Sequence, residues 1–150
     1  MLREAVAQTR FLARGLVPVG SDPDALRNGL TELAARIDAL GRVHCSFDSP
    51  QPVEIGKPDV AAHLYRIAQE AVNNAMKHAQ AKTVVIRLVQ EGAGLLLEVI
   101  DDGRGLQKTT RQGLGLGVMR YRANIIGAEL SVSSKRTGGV AVSCRLPSMP

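Results

Sequence analysis

The chain has 150 residues, of which 45% are apolar and 22% charged, so it should form one compact domain and not a disordered polypeptide. It contains no apolar run of membrane-spanning length and no signal-peptide pattern, which predicts a cytoplasmic location. The net charge of +5 favours anionic partners. Aromatic residues make up only 3%, so we expect no nucleic-acid partner, because single strands are bound largely by stacking. The two cysteines, Cys45 and Cys144, lack metal-ligand spacing and are expected to be buried free thiols.

Helices and strands alternate along the chain. Apolar residues recur at helical spacing in four segments, and short apolar-rich runs between turn residues indicate the strands. The predicted helices cover 2–14, 24–40, about 59–79 and 115–126, and the predicted strands cover 43–48, 82–90, 95–101, 129–134 and 140–146. Ser21 or Asp22 could cap the second helix and Asp59 the third, and EGAG between the second and third strands predicts a hairpin. This order predicts an α+β fold, a two-layer α/β sandwich with helices on one face of a mixed, mostly antiparallel sheet.

One face of the long predicted helix is polar. With about 100° per residue, Asn74, Lys77 and His78 fall within about 80° of Glu70. The opposite side is apolar and should face the core, with Leu64, Ala68, Ala71, Val72, Ala75 and Ala79. An amphipathic helix with a solvated polar face would explain this pattern by itself. Two consecutive asparagines, Asn73 and Asn74, are unfavourable in mid-helix, however, so at least one is expected to have a function.

Two carboxylates end the third predicted strand. In LEVIDDGRGL (97–106), strand alternation directs Asp101 and Asp102 to opposite faces, so that one can enter a pocket while the other meets solvent. Gly103 and Gly105 let the backbone approach a ligand closely or adopt a positive φ. The segment could be a simple turn. A buried carboxylate here could also accept a hydrogen bond from an exocyclic amine, such as that of adenine.

Alternating glycines begin the last predicted helix. Gly113, Gly115 and Gly117 stand where a helix offers free N–H groups and a positive dipole end, which suits phosphates. The sequence contains neither the P-loop pattern nor the dinucleotide pattern G-x-G-x-x-G at this place. The preceding stretch LQKTTRQ (106–112) reads as a mobile, basic loop. Its Lys108 and Arg111 could close over phosphates, although solvated surface charge explains them equally well.

The combination of these three elements resembles a known family. The E-x-x-x-N-x-x-K-H helix, the D-x-G-x-G strand end and the G-x-G-x-G helix start are similar to the N, G1 and G2 boxes of the GHKL ATPase superfamily. The stretches HLYRIAQEAVNNAMKHAQA, IDDGRGL, GLGLGVMRYRANIIGAELSV and GGVAVSCRLP resemble the catalytic domain of two-component sensor histidine kinases paired with NarL/LuxR-like regulators. The resemblance covers about residues 22–147 and implies the Bergerat (GHKL) fold. Val118 stands where the family often has Gly, and Val140 follows the pair Gly138-Gly139 where Thr is common.

The resemblance implies a role for each site residue. Glu70 would be the general base or water-positioning acid, and Asn74 would ligate Mg²⁺. Lys77 and His78 would contact phosphate, and Asp101 would accept a hydrogen bond from the adenine amine of ATP. The remaining residues would shape the nucleotide pocket and the hinge of its lid: Gly103, Gly105, Gly113, Gly115, Leu116 and Gly117.

The resemblance also implies that the phosphate acceptor lies elsewhere. Residues 1–20 resemble the end of a dimerisation and phosphotransfer helix with its linker, followed by the ATPase domain over 21–150. Neither His44 nor His63 lies in a His-Asp or His-Glu setting on an early helix. The chain is therefore expected to be a fragment that binds ATP but does not autophosphorylate alone. The implied partners are its own dimerisation domain, in a homodimer, and a response regulator, in a full-length protein that is cytosolic or membrane-anchored.

Two other functions fit parts of the pattern. An anti-sigma-factor serine kinase of the same superfamily would phosphorylate a partner, but the predicted helix 2–14 and MRYRANIIGAEL favour a sensor kinase. A non-catalytic binding module would use nucleotide only to switch a partner interaction. Glu70 argues against that module, because binding alone needs no base. A nucleic-acid function would rest on net charge alone.

Overall fold

The computed structural model of the chain describes residues 22–78, 80–105 and 114–149. Here the helices α1 (Ala25–Ala39), α2 (Pro58–His78) and α3 (Leu114–Ile125) alternate with the strands β1 (His44–Asp48), β2 (Thr83–Glu91), β3 (Gly94–Asp101), β4 (Glu129–Ser134) and β5 (Val140–Leu146). Each of these elements agrees with its predicted range to within one residue at either end. The predicted helix 2–14 and the predicted basic loop, with Lys108 and Arg111, lie outside the described residues.

The strands form one mixed sheet in the order β1-β2-β3-β5-β4. β1 pairs with β2 in parallel, and the other neighbours are antiparallel, which confirms the predicted topology. The end of β3 lies between the start of β2 and the start of β5, since Asp101 pairs with Val84 and Ile100 pairs with Ala141. Three strands therefore meet at Asp101.

The helices cover one face of the sheet and bury it. The inward residues of β2 (Val84, Ile86 and Leu88) are fully buried and alternate with partly exposed ones, as expected for a strand with one covered face. On α2, the predicted apolar side is buried at Leu64, Ala68, Ala71, Val72 and Ala75, whereas Ala79 lies outside the described residues. Among the helices that the structure describes, none is both long and apolar enough to cross a membrane.

Glycines in the left-handed conformation end several elements. Gly92, with φ of 58°, forms a two-residue turn with Ala93 between β2 and β3. This turn is shorter than the predicted EGAG, because Glu91 and Gly94 already pair with each other. Gly127, with φ of 72°, follows α3 as predicted. Only a residue without a Cβ adopts this conformation at little cost.

Neither Asp22 nor Asp59 caps its helix, so these two predictions are wrong. Asp59 lies inside the first turn of α2, which begins at Pro58, so it is not the N-cap residue. Its negative charge there interacts favourably with the positive end of the helix dipole. Residue Asp24 takes the N-cap position of α1 and makes no side-chain cap bond. Oδ1 of Asp22 accepts instead from the N–H of Asp24, at 2.9 Å, so it orders the turn before the helix. Ser21 lies outside the described residues.

Candidate functional site

The polar face of α2 is partly covered by α3. Glu70 and Asn74 are half-buried, whereas Lys77 is exposed. Gly115, in the first turn of α3, lies against this face: a Cβ atom there would sit 2.5 Å from Oε1 of Glu70 and 3.4 Å from Oδ1 of Asn74. The first distance is shorter than any carbon–oxygen contact allows, so a side chain at position 115 would displace the carboxylate of Glu70.

A second contact sets the direction of α3. Nη1 of Arg122 lies 3.3 Å from Nδ1 of His63, seven residues before Glu70 on α2. Because the start of α3 faces the later part of α2 and its end faces the earlier part, the two helices run antiparallel. A guanidinium only donates, so Nδ1 of His63 must be the acceptor. Burial and the charge of Arg122 lower the pKa of His63 from 6.5, and Asp59 opposes this. The neutral ring therefore joins the two helices.

Asp101 is buried at the end of β3, with 8% of its surface exposed, on the helix-covered face. Its Oδ1 accepts from the N–H of Gly103, at 2.8 Å, and from the N–H of Val140, at 3.3 Å. Within the described ranges, no hydrogen bond to Oδ2 is present, and no buried side-chain oxygen or nitrogen lacks a partner. Oδ2 is therefore the oxygen that remains open to solvent.

Asp102 points the other way and has a structural task. Its Oδ1 accepts from the N–H of Lys82, at 2.8 Å, and from the N–H of Thr83, at 2.9 Å. The hydrogen bond from the N–H of Thr83 lowers the pKa of Asp102, desolvation opposes this, and the hydrogen bond from the N–H of Lys82 lowers the pKa further. Asp102 thus ties the end of β3 to the start of β2. The two neighbouring carboxylates face opposite sides, as the strand pattern predicts.

Four glycines pack against each other beside Asp101, and we call them the glycine junction: Gly103, Gly105, Gly138 and Gly139. The last three have φ values of 80°, 93° and 98°. A Cβ on Gly138 would lie 3.4 Å from the carbonyl oxygen of Gly103, and a Cβ on Gly139 would overlap the carbonyl oxygen of Asp101. The turn before β5 therefore touches the backbone at the end of β3 directly.

Residues 59–150 match the family described as histidine kinase-, DNA gyrase B- and HSP90-like ATPases. The matched range holds all of α2 except Pro58, together with Asp101, the glycine junction and α3. The chain belongs to this ATPase family. It is the ATP-binding catalytic domain of the sensor histidine kinase type, as the resemblance of its motifs implies.

Curated relatives of this ATPase domain include a sensor histidine kinase and a sensor protein. The chain is 33% identical over 152 residues to the sensor histidine kinase LiaS of Bacillus subtilis, and 30% identical over 150 residues to the sensor protein VraS of Staphylococcus epidermidis. These alignments cover 100% and 98% of the chain and 42% of each relative. The chain therefore spans less than half the length of these relatives.

Solved structures agree with the fold of the ATPase domain. The ATP-binding domain of PrrB from Mycobacterium tuberculosis matches with a TM-score of 0.66 and 26% identity, over 81% of this chain and 92% of that one. The histidine kinase domain of a blue-light-activated kinase from Erythrobacter litoralis matches with a TM-score of 0.67 and 24% identity. That match covers 86% of this chain and 64% of the other. The predicted sandwich is confirmed.

The ATPase domain brings only some of the predicted site residues together. Glu70, Asn74 and Gly115 meet between α2 and α3, and Asp101 lies with Gly103 and Gly105 at the end of β3. Leu116 is partly buried and packs against the core, and Gly117 faces open space. Gly113 lies outside the described residues, as does the side chain of His78. Their predicted roles stay predictions.

Sequence reasoning missed two contacts of this site. At the paired glycines before β5, the sequence indicated only that Val140 follows them where Thr is common, yet the N–H of Val140 contacts Asp101 and Gly139 leaves no room for a Cβ beside it. Two adjacent glycines directly before a strand were the available signal. The contact between His63 and Arg122 had none, because the residues lie 59 positions apart. His44 also meets an acid, at 2.8 Å from Asp38, although not on an early helix.

Proposed function

We propose that this domain transfers the γ-phosphoryl group of ATP to a histidine on a dimerisation domain outside the described residues. The observation that carries the proposal is the convergence of Glu70 and Asn74 on Gly115 at the start of α3. Phosphoryl transfer needs positioned groups more than covalent chemistry, and a helix start beside a carboxylate and an amide supplies both charge and position. The relative named as a sensor histidine kinase supports the same reaction.

In this proposal each side chain has one task. Oε1 of Glu70, beside the start of α3, accepts the proton of the attacking imidazole as general base. The free N–H groups at the start of α3 orient the phosphates. Asp101 accepts a hydrogen bond from the 6-amino group of adenine. Lys77 is exposed on the same helix face and can reach a phosphate oxygen.

The residues present fit a Mg²⁺ ion that arrives with ATP. The described residues hold no group of three or more His, Cys, Asp or Glu that could bind a metal by themselves. Mg²⁺ bound through nucleotide phosphates needs only one or two protein oxygens, and Oδ1 of Asn74 is available at the site. When bound, Mg²⁺ neutralises charge on the transferred phosphoryl group.

Replacing Glu70 separates catalysis from binding. We expect Glu70→Gln in the full-length protein to lower the rate of histidine phosphorylation by about 10²–10⁴-fold, because the general base is lost. ATP affinity should change little, since Gln keeps the size and polarity of the side chain. Phosphorylation is followed with labelled ATP and affinity by calorimetry. Equal losses of both would favour the non-catalytic module, and label on a serine of a partner would favour the anti-sigma-factor kinase.

The chain alone should bind ATP without labelling itself. The ring nitrogen Nδ1 of His44 contacts Asp38 and that of His63 contacts Arg122, so both serve the fold. Stable label on His44, His63 or His78 after incubation with labelled ATP would contradict a separate acceptor histidine.

We further propose a domain boundary near residue 20 and a homodimeric full-length kinase whose ATPase domain lies in the cytoplasm. A response regulator would receive the phosphoryl group from the histidine. The start of α1 at Ala25 and the sensor-protein relatives support these assignments.

A further inference from the structure

The carboxylate of Asp101 is held by two backbone groups from distant parts of the chain. The N–H of Gly103 reaches Oδ1 from the turn directly after β3, and the N–H of Val140 reaches the same atom from the start of β5. Both donors bind Oδ1, while Oδ2 has none among the described residues. The two oxygens of Asp101 are therefore not equivalent.

The glycine junction makes the second of these bonds possible. Gly139 directly precedes Val140 and lies so close to the end of β3 that a Cβ on it would overlap the carbonyl oxygen of Asp101 and approach the Cα of Asp102. Any side chain at position 139 would have to move the start of β5 away from β3. A Cβ on Gly138 would lie 3.4 Å from the carbonyl oxygen of Gly103. The N–H of Gly103 donates the other hydrogen bond to Oδ1 of Asp101. The glycines thus act through Asp101 and need not touch a ligand.

We propose that the Gly138–Gly139 turn is a positioning element that fixes the orientation of Asp101 and thereby selects adenine. With Oδ1 occupied by two N–H groups, only Oδ2 can face the base. A carboxylate oxygen accepts but does not donate, so it pairs with the 6-amino group of adenine and repels the 6-carbonyl oxygen of hypoxanthine or guanine. The inference rests on the proposed role of Asp101 as adenine acceptor.

The substitution Asp101→Asn tests the fixed orientation, because asparagine is nearly the same size but has different groups on its two sides. The two backbone donors should hold the amide oxygen in the place of Oδ1, which leaves the NH₂ group facing the base. We expect the wild-type chain to bind ATP at least about tenfold more tightly than inosine triphosphate, as for a hydrogen bond to a charged group. Asp101→Asn should reverse this preference and bind inosine triphosphate more tightly.

The glycines are tested by the same ratio of affinities. Gly139→Ala should reduce the preference for ATP about tenfold, because its Cβ displaces Val140 from Asp101. Gly138→Ala should reduce the preference for ATP less, because its Cβ meets only one oxygen, at 3.4 Å. This milder variant keeps the test valid if Gly139→Ala does not fold. Gly41→Ala is the matched control, since Gly41 also has a positive φ, of 72°, but has no atom within 4 Å of its Cβ. It should leave the ratio unchanged.

The outcomes separate the inference from the proposed function. A wild-type chain that binds ATP and inosine triphosphate equally, with Asp101→Ala unchanged, would contradict the adenine role of Asp101 itself. Suppose instead that the wild-type chain prefers ATP and that Asp101→Ala abolishes this preference. The adenine role of Asp101 would then stand, but a preference that persists in Asp101→Asn and in both glycine variants would overturn the positioning proposal. Circular dichroism of each variant shows whether the measured protein is folded.

Discussion

Glycine at position 115 has a reason that lies in its neighbours and not in its own backbone. It stands inside α3, where alanine would be the better helix former by about 1 kcal/mol. Its Cβ position is 2.5 Å from Oε1 of Glu70, so a side chain there would compete with the proposed base for space. Glycine at position 115 therefore makes α3 less stable than alanine would, but it leaves room for the carboxylate of Glu70.

Gly115→Ala should lower activity without lowering stability. Oε1 is the far end of a flexible side chain, so Glu70 moves and the fold does not. A misplacement of about 1 Å can reduce a reaction rate about 100-fold, and we expect a loss of that size in the proposed phosphorylation of histidine. The midpoint of thermal unfolding should stay the same or rise.

Gly117→Ala is the comparison for this variant. Gly117 lies in the same first turn of α3 and has no atom within 4 Å of its Cβ position. Both variants gain helix propensity, so the difference between their rates isolates the contact with Glu70. Equal losses would show that a stiffer helix start, and not displacement of Glu70, causes the effect.

At the scale of single residues, the sequence predicted which side chains belong to the site better than it predicted the groups that contact them. Asp101 could be recognised because a carboxylate follows an apolar strand and precedes glycines. The N–H of Val140 could not, because a backbone donor leaves no trace in the residue type and lies 39 positions away. Gly115 was predicted as a phosphate-loop glycine, whereas its contact with Glu70 requires the packing of α3 on α2.

The pairing of α2 and α3 is the element-scale feature on which the site depends. Met119 is fully buried in α3, between the contact at Gly115 and the contact at Arg122. The same helix carries three apolar residues that stay exposed, Val118, Tyr121 and Ile125. α3 is therefore fixed on one side by α2 and β4 and leaves its other side to solvent in this chain.

Acid should weaken this helix pair through His63. The pKa of His63 is lowered below 6.5 in the folded chain, so the folded state favours the neutral ring. The stabilisation is complete above about pH 6.5 and is lost as the pH falls through the folded pKa, because the unfolded chain then binds the extra proton. We expect the free energy of unfolding, measured in urea, to decrease over this range.

Two substitutions check the cause. His63→Gln should remove that part of the pH dependence, and Arg122→Gln should reduce it by removing the charge that disfavours protonation. Hydrogen exchange of α3 amides would show whether the effect is local to the helix pair. An unchanged slope in His63→Gln would assign the pH dependence to other groups.

Secondary structure was predictable because periodicity decides it locally, whereas helix ends depend on single hydrogen bonds. The ranges of β4 and β5 agree with their predictions at every residue. The caps fail because Asp22 bonds to the turn before α1 and Asp59 lies within α2. Both positions have the right residue type, and only the local backbone conformation distinguishes a cap from a neighbour.

On the scale of the whole molecule, the reactivity of the two thiols indicates whether the sheet is folded. Cys45 and Cys144 are free and buried, as predicted, and burial raises the pKa of each to about 11. Asp38 adds to the increase at Cys45. The thiolate, which reacts with alkylating reagents, is therefore about 100-fold rarer than in an exposed cysteine.

Alkylation should accordingly follow global unfolding. We expect iodoacetamide at pH 8 to label both thiols slowly in the native chain and rapidly in urea. Mass spectrometry of partly labelled samples should find mainly chains with no label or two labels, because β1 and β5 belong to one sheet. Chains labelled only at Cys45 would show that the edge strand opens independently.

The long separation between Asp101 and Val140 has a consequence for how the domain folds. β2 and β3 form a hairpin of local contacts, but β5 joins β3 from about 40 positions further along the chain. Contacts between distant segments form late, since closing a longer loop costs more entropy. A nascent chain that ends before Gly138 therefore contains Asp101 but lacks the N–H of Val140 that binds its carboxylate. On the proposed role of Asp101, ATP should bind most tightly to chains in which β5 has docked, and it should therefore stabilise the docked β4–β5 hairpin.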